Sequence, residues 1–177
     1  MSSRGLRGSV FEELINLTID KYRENRLALI QKVPTPITPV KIDSESRHIT
    51  LAYFDAKSTV DYIGVVQGIP VCFDAKEVHV DTFSLQNIHP HQIAFMKEFR
   101  EQKGLCFFLL YYAHRDEFYY MPFRDAYIFW QRAEAGGRKS FTYDEIDKTR
   151  RITADKGLTV HFLPQLQRDL WESEEGT

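Results

Sequence analysis

The hydrophobic residues near the start of the chain recur at the spacing of an α-helix. Apolar side chains over residues 14–22 fall on one helical face, and Ser9 with Glu12 three residues later matches the capping-box pattern of a helix start. The helix is expected to end before Pro34. Two β-rich segments follow at 38–43 and 48–54 on either side of a polar run, and this arrangement predicts a β-hairpin.

The middle of the chain alternates between short apolar runs and polar turns. We predict strands at 60–66 and 70–75, joined by a tight turn, and a helix at 91–102. A continuous apolar run at 105–112 has the length of a buried strand and is expected to pair with 118–121. Three further helical segments are expected, at 123–135, 143–148 and 163–171. The order of the elements predicts a mixed α/β domain.

Two aspartates and a lysine flank the predicted central strands. An ionised carboxylate beside a hydrophobic strand is costly unless it is paired or binds a metal, and Mg²⁺ prefers one or two carboxylates. Asp61 and Asp74 fit that role at adjacent strand ends. Because side chains alternate along a strand, Lys76 would share the face of Asp74 and could orient a water or stabilise developing charge. The pattern favours phosphodiester hydrolysis, although such residues at a strand end are also common on protein surfaces.

The chain contains histidine and cysteine residues that could serve as ligands for softer metals. His89 and His91 lie two residues apart, but no further histidine or cysteine follows at zinc-like spacing, so a structural role or a contact with phosphate is expected. Cys72 and Cys106 lie within apolar runs. They are expected to be buried, reduced and unreactive thiols.

Three other acids could lie near the predicted site. Glu77 is close to it in sequence, and Glu12 and Glu13 lie on the predicted first helix. Glu77 alternates away from Asp74, whereas Glu12 or Glu13 could approach a metal from the helix. Aromatic pairs elsewhere could stack on bases, but at strand and helix spacing they are expected in the core. These pairs are Tyr111 with Tyr112, Tyr119 with Tyr120, and Phe129 with Trp130.

Six short runs occur in the order found in one nuclease family. They are KVPTP at 32–36, AYF at 52–54, STVDYIG at 58–64, DAKE at 74–77, SLQNIHPHQ at 84–92 and GRKS at 137–140. Asp61 followed by Asp74-x-Lys76 resembles the PD-(D/E)xK nuclease signature. The combined runs resemble the RecU-type Holliday junction resolvases, and the resemblance extends from residue 4 to residue 165.

The resemblance implies a metal site with a catalytic lysine. The metal ligands of the family correspond to Thr59, Asp61, Asp74 and Gln92, and its catalytic lysine corresponds to Lys76. The family more often has glutamate at the position of Asp74, so this side chain is one methylene shorter. The implied cofactor is Mg²⁺, with Mn²⁺ as a substitute.

The resemblance also implies an architecture and an activity. The expected fold is restriction-endonuclease-like, with a central mixed β-sheet flanked by helices and a stalk within about residues 36–58. The expected activity is resolution of four-way DNA junctions by paired symmetric nicks in recombination and repair. A homodimer is implied because a two-fold junction needs two equivalent sites. Further implied partners are a recombinase and a branch-migration helicase.

Two alternative functions are compatible with this sequence. The first is a related nuclease that acts on linear, flap or single-stranded DNA. The second is a non-catalytic DNA-binding or recombinase-regulating module. The joint presence of Asp61, Asp74 and Lys76 argues against the second alternative, because an inactive site has no reason to retain buried charges.

The net charge of the chain is unusual for a protein that binds DNA, but the charges are unevenly distributed. A formal charge of −2 and a pI near 6.3 are unlike a typical DNA-binding protein. An acidic tail is expected at 169–177, with four acids and no lysine or arginine, which leaves a charge of +2 on a single nuclease domain at 1–168. No apolar run approaches the roughly 18 residues of a membrane span, and the N-terminus lacks the apolar core of a secretory signal, so a cytoplasmic protein without a membrane partner is expected. The predicted DNA contacts lie in glycine-containing segments and are Arg4, Arg7, Arg138 and Lys139.

Overall fold

The computed structural model describes residues 10–54 and 59–175. This part of the chain contains four α-helices, and the cap residue Ser9 lies outside it. The helices are α1 (Val10–Glu24), α2 (Pro90–Glu101), α3 (Phe123–Glu134) and α4 (Leu163–Glu175). The strands are β1 (Ala28–Lys32), β2 (Ile37–Asp43), β3 (His48–Phe54), β4 (Tyr62–Val66), β5 (Ile69–Val78), β6 (Thr82–Ser84), β7 (Leu105–Tyr112), β8 (Glu117–Pro122), β9 (Ser140–Thr142) and β10 (Arg151–Ile152).

A six-stranded mixed sheet forms the centre of the molecule, in the order β1-β4-β5-β7-β8-β10. Its strand pairs are antiparallel except for β5 and β7, which run parallel because α2 connects them as a crossover. The β4–β5 turn consists of Gln67 and Gly68, both with positive φ (48° and 89°), as a tight hairpin turn requires. The predicted mixed α/β architecture is thereby confirmed, whereas the edge strand β1 was not predicted.

The two faces of the sheet carry separate cores because β5 and β7 are buried on both sides. On one face, α1 and α4 cover a row of stacked rings that crosses four strands. Adjacent ring centroids in this row lie 4.7, 4.7 and 4.4 Å apart. On the other face, α2, α3 and the small β6–β9 sheet cover Cys72, Phe108 and their neighbours. The stacked rings belong to Tyr62, Phe73, Phe107 and Tyr120.

Strands β2 and β3 form a two-stranded sheet separate from the central one. Every residue of β2 is exposed, and the turn is closed by Asp43, whose Oδ1 accepts the Glu45 amide hydrogen at 3.2 Å. The hairpin matches the predicted strand positions within one residue at each end. A bare two-stranded hairpin has little stability of its own in water. Part of the predicted stalk, residues 55–58, lies outside the described residues.

The C-terminal third differs from the sequence prediction in two places. The segment expected as a helix at 143–148 instead forms two short 3₁₀ turns, Tyr143–Glu145 and Lys148–Arg150. Each turn is set by a local cap, because Glu145 accepts the Thr142 amide hydrogen at 2.8 Å and Asp147 accepts that of Thr149 at 2.9 Å.

The acidic segment from Asp169 onward is not an appendage in the part the structure describes. Residues 169–175 continue α4, and Asp169 is only 2% exposed. Its carboxylate accepts a hydrogen bond from the Tyr120 hydroxyl at 2.6 Å and pairs with Arg124. The helix therefore extends past residue 168 because this acid has partners in the core.

No helix in the described ranges is long and apolar enough to span a bilayer.

Candidate active site

Asp61 and Asp74 meet where β4 begins. The Asp61 amide nitrogen donates to Asp74 Oδ1 at 2.7 Å, and the Ala75 amide nitrogen donates to Asp61 Oδ2 at 3.0 Å. The Asp61 carbonyl in turn accepts the Val33 amide hydrogen at 2.8 Å. The predicted meeting of the two acids is observed, but Asp74 lies inside β5 instead of at a strand end. The strand continues to Val78 because its residues 71–78 pair with the whole of β7.

Lys76 lies beside Asp74, as the alternation along an extended chain predicts. Its Nζ is 3.0 Å from Asp74 Oδ2, and the Asp74 side chain is fully buried. Glu77 points away and pairs instead with His79 at 3.7 Å. The ammonium is therefore held at the carboxylate, where it offsets the cost of a buried charge.

Gln92 reaches the same carboxylate from the first turn of α2. Its Nε2 donates to Asp74 Oδ2, and its Oε1 accepts the His89 amide hydrogen at 2.9 Å. The amide therefore presents its nitrogen to Asp74 in this conformation. For the oxygen to face a cation, the amide has to turn over and give up its bond to His89.

The environment of Asp61 disfavours its ionised form. Burial raises the pKa of Asp61 to about 6, and the negative charges of Asp74 and Glu12 add to the effect, while Lys76 and the Ala75 amide oppose it. Because a metal ligand has to be deprotonated, a cation that binds here would displace the proton of Asp61 into the solvent.

Glu12 approaches the site from α1, as one of the two candidate helix acids. Its carboxylate lies 2.7 Å from Lys32 Nζ at the end of β1, and its charge raises the pKa of both Asp61 and Tyr62. Glu13 is exposed on the same helix. The sequence did not predict that the Lys32–Glu12 pair lies beside the site. Its position depends on the strand pairing of Lys32 with Tyr62.

The oxygen donors available here suit a hard cation. Two carboxylates, joined by the Gln92 oxygen once its amide turns over, leave room for the several waters that Mg²⁺ keeps. Thr59, the fourth expected ligand, is exposed two residues before Asp61. Within residues 10–54 and 59–175 no cluster of three or more His, Cys, Asp or Glu side chains could hold a metal, so a zinc-type site is not formed there.

Two of the four predicted DNA contacts, Arg138 and Lys139, lie in the described part of the chain. Arg4 and Arg7 lie outside the described residues. Arg138 is exposed and pairs with Glu145. The Lys139 backbone carbonyl accepts the Leu85 amide hydrogen at 3.1 Å, which fixes this segment beside the 3₁₀ turn that precedes α2.

The other candidate ligands have structural surroundings. Cys72 and Cys106 are free and buried, with their sulfur atoms 3.4 Å apart on neighbouring strands. The pKa of Cys72 is raised by its hydrogen bond with Cys106 and by burial. The rings of His89 and His91 stack on each other with centroids 5.4 Å apart. The positions of the two cysteines agree with the expected buried, reduced thiols.

Comparison with known proteins identifies the family. The sequence model described as RecU, Recombination protein U, matches residues 6–168. Proteins named Holliday junction resolvase RecU from Levilactobacillus brevis and Bacillus pumilus are each 40% identical to this chain, over 90% and 93% of its length and 82% and 79% of theirs. The protein of that name from Listeria welshimeri is 38% identical over 93% of this chain and 84% of its own length. The chain therefore belongs to the RecU family.

Proposed function

We propose that this protein is a Mg²⁺-dependent endonuclease that resolves four-way DNA junctions by paired symmetric nicks. The observation that carries the proposal is the buried carboxylate of Asp74, which is held between Lys76, Gln92 and the Asp61 amide. Relatives with about 40% identity over most of the chain are named as Holliday junction resolvases, which supports the substrate.

In this proposal, Asp61 and Asp74 hold the cation, and Thr59 and Gln92 complete its ligands. When bound, Mg²⁺ supplies a hard positive charge to a phosphate oxygen and lowers the pKa of a nearby water. Asp61 loses its proton and Gln92 turns its amide oxygen inward. Mn²⁺ is expected to substitute, because it takes the same oxygen ligands.

Lys76 has a separate role in the proposed reaction. Its ammonium orients the attacking water and stabilises the charge that grows on the phosphate in the transition state. The water attacks phosphorus and the 3′-oxygen leaves, which produces a 5′-phosphate and a 3′-hydroxyl. The shorter side chain of Asp74 is accommodated by the hydrogen bonds that fix its carboxylate beside Asp61 and Lys76.

The larger architecture follows from the same proposal. The six-stranded sheet represents a restriction-endonuclease-like core, and the β2–β3 hairpin represents the stalk that enters the junction. A homodimer provides two equivalent sites for the two strands of like polarity. Recognition depends mainly on phosphates and junction shape, with contacts from Arg4, Arg7, Arg138 and Lys139. A cytoplasmic location, a recombinase and a branch-migration helicase belong to the same proposal.

A cleavage assay tests the function directly. Purified protein is incubated with matched mobile four-way, flap, linear and single-stranded DNA, with Mg²⁺ or with a chelator. Paired nicks in the four-way junction, only with Mg²⁺, support the proposal. Preferential cutting of linear, flap or single-stranded DNA would reassign the substrate. Junction binding without cleavage, in Mg²⁺ or Mn²⁺, would favour a non-catalytic module.

A further inference from the structure

A groove lies next to the candidate active site and is not used by the mechanism above. Its volume is about 420 Å³, within the range of roughly 300–1,000 Å³ that is typical of small-molecule sites. One wall is the start of α2, with His89 and Pro90, and the opposite wall is the end of α3, with Trp130 and Glu134. Its floor includes Leu85, which is 4% exposed.

The groove adjoins the metal ligands through a short chain of hydrogen bonds. The His89 amide nitrogen donates to Gln92 Oε1 at 2.9 Å, and Gln92 donates in turn to Asp74. The groove is thus two hydrogen bonds away from the Asp74 carboxylate.

Three of the polar side chains around the groove have no hydrogen-bond or ion-pair partner in the described part of the chain, whereas the His89 ring stacks on His91. Gln86, Glu134 and Lys139 are exposed, and none of their side chains makes a hydrogen bond or ion pair there. The groove thus combines an apolar floor and the half-buried indole of Trp130 with two charged groups, the carboxylate of Glu134 and the ammonium of Lys139. A free phosphate would be repelled by Glu134, whereas a nucleotide offers a flat base to the indole and a phosphate to Lys139.

The walls are fixed by packing and hydrogen bonds. Phe141 stacks on Phe83 and Phe129 with centroids 4.8 and 4.7 Å apart, which joins the β6–β9 sheet to α3. The Lys139 carbonyl accepts the Leu85 amide hydrogen at 3.1 Å. Phe129 and Trp130 both pack against the core on this face, as expected, and Trp130 also lines the groove.

We propose that this groove receives a nucleobase adjacent to the scissile phosphate and that it sets the sequence preference of cleavage. The base stacks on Trp130, its phosphate pairs with Lys139, and Glu134 accepts a hydrogen bond from an exocyclic amine. Carboxylates pair in this way with the N4 amine of cytosine, and thymine lacks such a donor. Cleavage should therefore prefer cytosine to thymine at the position that enters the groove. The inference rests on the proposed nuclease function.

Substrate and protein changes can be combined to test this assignment. Abasic sites are placed one at a time within two nucleotides of each mapped nick in a four-way junction. At one position, loss of the base should slow cleavage by wild-type protein about tenfold, as expected for the loss of one stacked base. Trp130→Ala should slow cleavage of intact DNA by a similar factor and should be insensitive to the abasic site. Glu134→Gln should cut cytosine and thymine junctions at equal rates.

Controls separate this proposal from effects on folding and from the function itself. Trp171 is the other tryptophan of the chain and is exposed on α4, so Trp171→Ala should leave cleavage unchanged. Trp130→Phe retains an aromatic ring and tests whether lost stacking, and not lost packing, explains the slow cleavage by Trp130→Ala. Cleavage by Trp130→Phe should still be slowed by the abasic site. Thermal unfolding of each variant checks that it is folded.

Fluorescence provides a readout that does not need cleavage. In Trp171→Phe, Trp130 is the sole tryptophan, and junction DNA added in chelator should quench its emission. Absence of cleavage by wild-type protein would refute the proposed function, while quenching would still support a base site. Unchanged Trp130 emission with bound DNA, or a Trp130→Ala variant with wild-type rates and sequence preference, would overturn the base-site proposal.

Discussion

Lys76 Nζ lies 3.0 Å from Asp74 Oδ2 on the same face of β5, and both side chains are almost enclosed, with 16% and 0% exposure. The lysine contacts the carboxylate without being able to bind a cation itself. A substitution of Lys76 therefore tests catalysis at this site without removing a proposed metal ligand.

Lys76→Ala should abolish cleavage and spare junction binding. Loss of one positioned proton-transfer or charge-stabilising group typically reduces rates by about 10²–10⁴-fold. Single-turnover cleavage and gel-shift titration measure the two properties on the same junction. Lys21→Ala is a matched control, because that lysine makes only an exposed pair with Glu24 and should behave as wild type. Equal loss of binding and cleavage in Lys76→Ala would contradict the assigned role.

Asp61→Asn should stabilise the metal-free protein at neutral pH. The pKa of Asp61 is raised to about 6, so its contribution to stability is fully present below its ordinary pKa of 3.8 and is lost as pH rises through about 6. At about 1.4 kcal/mol per pKa unit, the wild type should be less stable than the variant by up to about 3 kcal/mol near pH 7.5, with little difference near pH 4.

Urea unfolding in chelator at both pH values measures this difference. Mg²⁺ should then raise the free energy of unfolding of the wild type and not that of Asp61→Asn. A ligand stabilises a folded protein only when that protein binds it. Calorimetric titration with Mg²⁺ gives the same comparison directly. A variant that is less stable than wild type at neutral pH would show that burial of the Asp61 carboxylate carries no penalty.

Asp74→Glu should retain Mg²⁺-dependent cleavage at a rate within about tenfold of wild type. The carboxylate keeps its charge, but the added methylene crowds a fully buried position, and such overpacking typically costs about 1–3 kcal/mol. Asp74→Asn retains the shape and removes the charge, and should lose cleavage by more than about 100-fold. Cleavage rates and Mg²⁺ titrations of the two variants provide the measurement. Equal rates for both would show that the charge of Asp74 is unimportant.

Asp169→Ala should strongly destabilise the protein without any direct effect on the site. The substitution leaves the buried Tyr120 hydroxyl without its acceptor and removes one acceptor of Arg124, which keeps Glu172; a buried polar group left unsatisfied costs about 1–3 kcal/mol. Denaturant unfolding should show this loss, whereas Glu174→Ala, an exposed acid on the same helix, should change stability by less than about 0.5 kcal/mol. Similar values for both variants would mean that Asp169 acts as an ordinary surface acid.

The sequence predicted those parts of the fold that depend on local pattern. The unbroken apolar run of β7 indicated a strand buried on both faces, and the β2–β3 hairpin was visible from two β-rich segments around a polar turn. Strand β1 was missed because its only buried residues are Ala28 and Ile30, and its identity depends on pairing with β4. Residue type and spacing cannot report a contact with a distant strand.

The same distinction applies to the candidate site. The common face of Asp74 and Lys76 follows from strand alternation and was predicted. The position of Asp74 within β5, and the proximity of Glu12 and Lys32, depend on strand pairing and helix packing far apart in sequence. The burial of Asp169 was hidden for a similar reason, because its partners lie on β8 and α3.

The tight turn at Gln67 and Gly68 has a consequence for the chemistry at the opposite end of its two strands. It fixes which residue of β4 faces which residue of β5, and a slip of one residue would rotate Asp61 to the aromatic side of the sheet. The catalytic geometry is thus encoded partly in the length of a loop that contributes no functional side chain. Insertions there would inactivate the enzyme while leaving every active-site residue in the sequence.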